Sequence, residues 1–328
     1  MESTNRPWLE GILDRVRGFM EARVLLTAAE LDLFTLLKGR AVSAEELAQE
    51  RGWNASATEI LLDALTSMGC LTKQQGRYTD TPEAELHLSA DSPDTVLPYV
   101  LHLAGLWKTW SGLTDKVGPL PPDAPALDRT AAFIGAMHVL GRGKAHRTIA
   151  ALRPEESARL LDVGGASGTY TIAFLRANPS AEATLFDLPE VVPLAQRRMA
   201  EEGLSDRVRI VAGDLRRDPL PGGHDLALLS AIIHMNGPDE NLVLFRKCRE
   251  ALEPGGRIVI RDHLMSDDRT SPRAGALFAV NMLAGTAGGR TYSLKELQEL
   301  LREAGFEPPR VLEANGTMDD LVEARKPL

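Results

Sequence analysis

Residues 159–169 read Arg-Leu-Leu-Asp-Val-Gly-Gly-Ala-Ser-Gly-Thr, an apolar strand that ends in Asp162 and turns through glycines before 170–175 resume with helical spacing. A strand, a glycine-rich turn and a helix start, in that order, present backbone N–H groups to a nucleotide-like ligand. Gly164 and Gly168 bound the turn and let the backbone come close to such a ligand, although the middle position is Ala166. Short apolar runs follow at 183–187, 208–214 and 225–230. Asp187 and Asp214 close the first two, while Asp225 opens the third and Ser230 closes it. The C-terminal edge of an open α/β sheet is where ligands bind, so these acidic and hydroxyl groups are expected along one site. Asp187 is placed to accept both hydroxyls of a ribose.

Up to that point NAD and S-adenosylmethionine are both possible, since they share ribose and adenine and differ over the glycine turn. A pyrophosphate favours a helix N-terminus rich in free N–H groups, whereas an amino-acid end needs a less anion-directed pocket. Gly213-Asp214-Leu215 then puts a carboxylate and an apolar side chain where adenine would sit, and His234 follows the fourth strand closely. Leu252-Glu253-Pro254-Gly255-Gly256 reads as a helix end and a tight turn before a fifth strand that ends in Asp262.

The elements that must position these residues have ample chain. With 328 residues there is enough for two domains, and a formal net charge of −9 gives no general attraction to nucleic acid or an anionic membrane. No apolar run is long enough to span a bilayer, and no basic segment leads into an apolar stretch at the N-terminus. Cys70 and Cys248 cannot build a disulfide framework, so a reducing, cytoplasmic location is expected.

Ile12, Leu13, Val16, Phe19 and Met20 recur at helical intervals near the N-terminus. Leu31, Leu33, Phe34, Leu36 and Leu37 make a helix apolar nearly all round, which is expected to lie in a subunit interface. Residues 43–79 have a winged-helix pattern: a capping box of Ser43 and Glu46, a second helix over 57–68 and a hairpin around 73–76. That second helix has no Lys or Arg, and Glu59 and Asp63 would face phosphates, so a structural module is expected rather than a DNA reader. Further helices are expected over 86–113 and from 133 toward 152, with a proline-rich loop at 119–125. Trp107, Trp110, Phe133 and Met137 are side chains of the kind that shape apolar ligand pockets, with core packing the alternative for each; His102 and His138 could add polar contacts.

Taken together, Leu161-Asp162-Val163-Gly164-Gly165, Phe186-Asp187-Leu188-Pro189, Gly213-Asp214, His234, Pro254-Gly255-Gly256, Gly305-Phe306 and the closing runs 311–313 and 321–324 carry a family resemblance. The chain resembles the class I S-adenosylmethionine-dependent O-methyltransferases of the plant-like kind, which include caffeate, hydroxyindole and bacterial polyketide or phenazine methyltransferases. The resemblance spans nearly the whole chain. It implies an α/β fold: a Rossmann-like methyltransferase domain with a mostly parallel seven-stranded sheet, preceded by a helical winged-helix-like dimerisation domain. The implied division is 1–115 for dimerisation, 116–150 for connecting helices bordering a substrate cleft, and 151–328 for the catalytic domain.

The same resemblance implies S-adenosyl-L-methionine as cofactor, held by Gly164, Gly168, Asp187, Leu188, Gly213, Asp214, Leu215 and Ser230. It makes His234 the general base toward a small hydroxylated aromatic substrate, with Asp262 orienting its ring. Trp107, Trp110, Phe133, Met137, His138, Asn236, Phe278, Asn281 and Met282 are the implied acceptor contacts. No metal, nucleic acid or membrane is implied as a partner, and a homodimer through the N-terminal domain is expected.

Three departures from the family pattern stand out, at four positions. Met235 and Asn236 stand where an acidic residue and a tryptophan usually follow the base, Asp262 replaces a glutamate, and Thr291 aligns with a second glutamate. A weaker hold on His234 is expected, which suits either a substrate that needs less help losing its proton or another outcome on the same scaffold: N- or C-methylation, or chemistry without methyl transfer. An NAD-linked dehydrogenase, marked by retained NADH, and a ligand-sensing repressor, marked by specific duplex DNA binding, are the more distant alternatives.

Overall fold

The structure, a computed structural model, describes residues 6–119 and 128–328. The proline-rich stretch expected at 119–125 lies, beyond its first residue, outside the described residues. The chain divides into two compact units, Met1–Ala124 with Asp268–Thr286 and Pro125–Asp267 with Ala287–Leu328. A partition drawn along the sequence misses that return of 268–286 to the first unit.

In the first unit, helices Arg6–Arg17, Phe19–Glu30 and Leu33–Leu37 precede strand β1 (Val42–Ser43), helices Ala44–Arg51 and Ala55–Ser67, and the hairpin β2 (Leu71–Gln74) and β3 (Arg77–Asp80). The capping box forms as read: Glu46 N–H donates to Ser43 Oγ at 3.2 Å and Ser43 N–H to the Glu46 carboxylate at 3.0 Å. Gln75 and Gly76, at φ of 50° and 77°, make the two-residue turn of the hairpin, which pairs with β1 in the order β1-β3-β2.

Two expectations are corrected here. Leu33, Phe34 and Leu37 are 0, 1 and 0 % exposed and join Val24, Leu47, Leu62, Leu65 and Tyr78 in the core of their own unit. A helix of five residues is short enough for its own unit to bury Leu33, Phe34 and Leu37, with Thr35 and Leu36 half-buried, so the burial of these three does not need a second subunit. The apolar side chains left exposed are elsewhere, at Trp8, Val16 and Phe19 and on the helix Leu97–Ser111 at Tyr99 and Trp110. Asp63 does not face outward either. It is buried, accepting from Lys73 Nζ at 2.7 Å and from the Tyr78 hydroxyl at 2.6 Å, while Glu59 pairs with Arg269 at 2.7 Å.

The second unit is built on a seven-stranded sheet of β4 (Arg159–Val163), β5 (Glu182–Asp187), β6 (Val208–Ala212), β7 (His224–Ser230), β8 (Leu252–Asp262), β11 (Arg310–Glu313) and β12 (Asp320–Arg325), with β9 (Leu264–Met265) and β10 (Tyr292–Ser293) forming a separate parallel pair. The order is β11-β12-β8-β7-β4-β5-β6, parallel from β8 to β6 and antiparallel where β12 meets β8 and β11. Side chains alternate between two cores. Leu161, Val163, Leu229 and Ile260 enter one, and Leu160, Leu226, Leu228 and Val259 the other, which is why these strands read as continuous apolar runs. The helix Leu294–Glu303 starts on a Ser293 and Glu296 capping box and is followed, one residue past its C-cap Ala304, by Gly305 at φ 87°, a left-handed conformation that favours glycine. Among the described residues no helix is long and apolar enough to cross a membrane.

One buried acid in the first unit makes stability pH-dependent. Asp80 closes β3 at 7 % exposure, and neither carboxylate oxygen has a hydrogen-bond partner. Burial, then the charge of Glu85, pushes its carboxyl up to about 7 from an ordinary value near 4. The folded-state value is the higher one, so its contribution to stability is complete below the unfolded value and is lost as pH rises toward the folded one. Asp80→Asn is expected to raise the melting temperature relative to the parent, by less at pH 5 than at pH 8; thermal denaturation at the two pH values checks this.

Candidate active site

The glycine turn leaves β4 with Gly164, Ala166 and Gly168 at φ of 71°, 50° and 77°. Gly164 N–H donates to Phe186 O and Gly168 N–H to Gly165 O, each at 2.8 Å. A Cβ on Gly164 would stand 2.3 Å from Ile232 Cδ1, and one on Gly168 1.9 Å from Met199 Cε. Close approach of a ligand is therefore not what demands these glycines; backbone conformation and the protein's own packing already do. Asp162 lies beneath the turn, buried, with Thr171 Oγ1 donating to it at 2.6 Å, and burial pushes its carboxyl up to about 6. It ties the strand to the first turn of the helix Thr169–Ala177.

Asp187 closes β5. Its Oδ2 accepts from Ala166 N–H and its Oδ1 from Leu188 N–H, both at 2.7 Å. Burial raises this carboxyl and the two backbone donors oppose the rise. Each oxygen of the carboxylate retains capacity for a further donor, so the residues present fit a ligand that offers a pair of ribose hydroxyls. Leu188 beside it is exposed. After β6, Gly213 N–H donates to Asp187 O at 2.9 Å, and Asp214 Oδ1 accepts from Arg216 N–H at 2.9 Å. Leu215, Arg216, Asn236, Glu240 and Val243 line one cleft of about 170 Å³.

Ser230, at the end of β7, accepts from Arg261 Nη1 at 3.2 Å. Arg261 also pairs with Asp319, which holds Lys144 at 2.7 Å, and its guanidinium lies 4.9 Å from the centre of the Tyr170 ring. The sequence reading passed over Arg261, although a charged residue inside the otherwise apolar run 258–261 is a signal that something must pair with it.

His234 follows β7 in the single 3₁₀ turn Ile233–Met235 and is 6 % exposed, against 5 % for Asp262. Its Nδ1 lies 2.9 Å from Asp262 Oδ1 and 2.8 Å from Oδ2, and Oδ1 also accepts from His263 N–H at 2.8 Å. Where Asp262 accepts, the hydrogen bond places the proton on Nδ1 and the lone pair on Nε2. That pair can take a proton from a substrate while a neighbouring carboxylate stabilises the charge formed on the ring.

The expected acceptor contacts are less uniform. In the second unit Phe133 is exposed, Met137 is half-buried, and the buried Asn236 gives its Nδ2 to Asn241 Oδ1 at 3.1 Å. His138 is occupied on both nitrogens. Arg198 Nη1 donates to Nε2 at 3.1 Å, which leaves Nδ1–H to donate to Thr169 Oγ1 at 2.9 Å, and burial first, then Arg198, lowers its pKa. The other five belong to the first unit, where Trp110 and Asn281 are exposed, Trp107 and Phe278 half-buried and Met282 buried. Among the described residues no three His, Cys, Asp or Glu side chains gather around a point where a metal ion could sit.

The sequence profile of the O-methyltransferase domain matches residues 130–307, and that of the O-methyltransferase dimerisation domain matches 13–90. The chain is 34 % identical to the tetracenomycin polyketide synthesis 8-O-methyl transferase TcmO of Streptomyces glaucescens, over 96 % of both chains. It is 33 % identical to the 3-hydroxy-5-methyl-1-naphthoate 3-O-methyltransferase of Streptomyces sahachiroi, over 92 % of this chain and 90 % of the relative. The crystal structure of an O-methyltransferase family 2 protein from Planctomyces limnophilus, in complex with apigenin, superimposes with a TM-score of 0.80 at 29 % identity, covering 96 % of this chain and 95 % of that one.

Gly213 of the site and Gly222, in the loop before β7, differ in what surrounds them, and that is measurable. A Cβ on Gly213 would stand 2.5 and 2.6 Å from ring atoms of Phe186, a rigid and buried side chain, whereas one on Gly222 meets nothing within 4 Å. Gly213→Ala is expected to destabilise by about 1–3 kcal/mol through overpacking. Gly222→Ala should stay within about 0.5 kcal/mol of the parent. Urea denaturation of the two variants gives the comparison.

Proposed function

The chain belongs to the S-adenosylmethionine-dependent O-methyltransferases, and from that premise we propose that it methylates a hydroxyl of a small aromatic secondary metabolite with His234 as general base. The observation that carries the assignment of the base is the buried His234–Asp262 pair at the C-terminal edge of the sheet.

When bound, S-adenosylmethionine supplies a sulfonium methyl that is already activated for transfer. Asp187, preset by Ala166 and Leu188 N–H, would hold the ribose hydroxyls. Gly164, Gly168, Leu188, Gly213, Asp214, Leu215 and Ser230 would make up the rest of its site. A phenol has an ordinary pKa near 10 and an imidazole one near 6.5, so a base is needed as the oxygen attacks. His234 Nε2 accepts that proton. Asp262 keeps the ring in the tautomer whose lone pair lies on Nε2 and balances the imidazolium once it forms. Orientation of the two reactants accounts for much of the remaining rate.

The hydroxynaphthoate and polyketide named for the two Streptomyces relatives, and the apigenin bound to the Planctomyces protein, support a hydroxylated aromatic acceptor. We place the enzyme in the cytoplasm as a homodimer without a nucleic-acid partner. Two free thiols, of which the Cys248 thiol is pushed up to about 12 by burial, suit a reducing compartment. Exposed Trp8, Val16 and Tyr99 on helices of the first unit suit a second copy of the chain.

Calorimetric titration with S-adenosylmethionine and with S-adenosylhomocysteine is expected to show binding of both, lost in Asp187→Ala. A screen of hydroxynaphthoates and hydroxyflavones for methyl transfer then supplies an acceptor. With it, His234→Gln is expected to lower kcat by about 10²- to 10⁴-fold while S-adenosylhomocysteine binds as in the parent. Failure of the folded, ligand-free protein to bind either nucleoside would overturn the proposal, as would a screen in which no acceptor is turned over.

A further inference from the structure

A base that must meet an oxygen at hydrogen-bond distance needs its backbone held as firmly as its ring. The ring of His234 is held by Asp262. Its backbone lies in one 3₁₀ turn, whose own bonds, Met235 N–H to Ile232 O at 3.1 Å and Asn236 N–H to Ile233 O at 3.2 Å, are few and of the weaker i to i+3 kind. Support from outside the turn is therefore where its rigidity must come from.

Three donors supply it. Asn241 Nδ2 donates to Ile233 O at 2.8 Å, Arg290 N–H to His234 O at 2.9 Å, and the Tyr292 hydroxyl to Asn236 O at 2.6 Å. Asn241, Asn236 and Tyr292 are 0, 1 and 1 % exposed, so water does not take over if one of them is removed. The bond to Ile233 O settles how the Asn241 amide is turned, and its Oδ1 accordingly faces Asn236 Nδ2 at 3.1 Å. Tyr292 in turn is fixed by the β9–β10 pair, which sets it opposite Leu264, just beyond Asp262 in the chain. One short stretch of chain thus locates both the carboxylate that holds the imidazole and the phenol that holds the carbonyl of Asn236, two residues further on.

From this arrangement we infer that Tyr292 and Asn241 are positioning residues for His234, acting through the carbonyls of Asn236 and Ile233 and touching neither reactant. The inference rests on the reading of His234 as the base. Burial raises the Tyr292 hydroxyl, which keeps it a donor throughout the working pH range.

The experiment measures kcat, both KM values and the calorimetric stoichiometry and Kd for S-adenosylhomocysteine in the parent, Tyr292→Phe, Asn241→Ser and His234→Gln, using the acceptor found by the screen. Rates are expressed per S-adenosylhomocysteine-binding site, so unfolded protein does not enter them. Tyr292→Phe and Asn241→Ser are each expected to lower kcat by about tenfold, with KM and Kd within about twofold of the parent. Either variant alone decides the matter if the other does not fold. A kcat per site equal to the parent's, with only the melting temperature lowered, would assign both residues a structural role and overturn the inference. Activity retained by His234→Gln would overturn the assignment of the base itself. An inactive His234→Gln beside an unaltered Tyr292→Phe would remove only the positioning role.

Discussion

For an imidazole carried beyond one strand to meet a carboxylate at the end of the next, the two strands must end at the same height. The parallel register of β7 and β8, which sets Ser230 opposite Arg261, provides that. Successive side chains on a strand point to opposite faces, so the neighbours Arg261 and Asp262 serve different parts of the edge. Arg261 turns to Ser230, Tyr170 and Asp319, beside the glycine turn, while Asp262 turns to His234. A slip of one residue in this pairing would exchange the two and leave the imidazole facing a guanidinium.

The glycine turn and the His234 segment are also coupled by packing. The space where a Cβ on Gly164 would lie is filled by Ile232, which stands between Ser230 and His234 in the chain. Ile232 is buried in the same core as Leu161 and Val163 of β4, so the strand that leads into the turn and the loop that carries the proposed base share one set of contacts. A side chain at Gly164 would therefore act on both places at once. Asp187 binds the same turn from its other side through Ala166 N–H. The turn is thus held in shape by Ile232 just beyond β7 and by Asp187 at the end of β5, and a nucleoside would meet it already formed.

Much of this was legible in the sequence because the relevant signals are local. Apolar runs closed by Asp162, Asp187, Asp214 or Ser230 mark strand ends, and strand ends are where a parallel sheet collects its ligands. The capping box at Ser43 is equally local. What could not be read depends on partners distant in the chain. The apolar helix Leu33–Leu37 suggested a subunit interface because hydrophobicity reports that a residue is covered and says nothing of what covers it. Asp63 looked outward-facing until Lys73 and Tyr78 of the hairpin closed on it. Tyr292 carries no motif at all, since the atom it binds is a backbone carbonyl, and every residue type has one.

The departures from the family pattern look different once they are seen together. Read singly, Asp262 for a glutamate, Thr291 for another and Asn236 for a tryptophan each implied a looser hold on His234. In the fold the shorter carboxylate still brings both oxygens within 2.9 Å of Nδ1, and its Oδ1 is itself steadied by His263 N–H. Thr291 is buried next to a tyrosine whose hydroxyl anchors the carbonyl of Asn236, and the Asn236 side chain joins Asn241 in the same network. A second carboxylate would have added charge in a buried site, where each ion must be compensated. Neutral amide and phenol donors bring no charge into that site. They bind the carbonyls of Ile233 and Asn236, before and after His234 in the chain, and Asp262 is the carboxylate bonded to its ring.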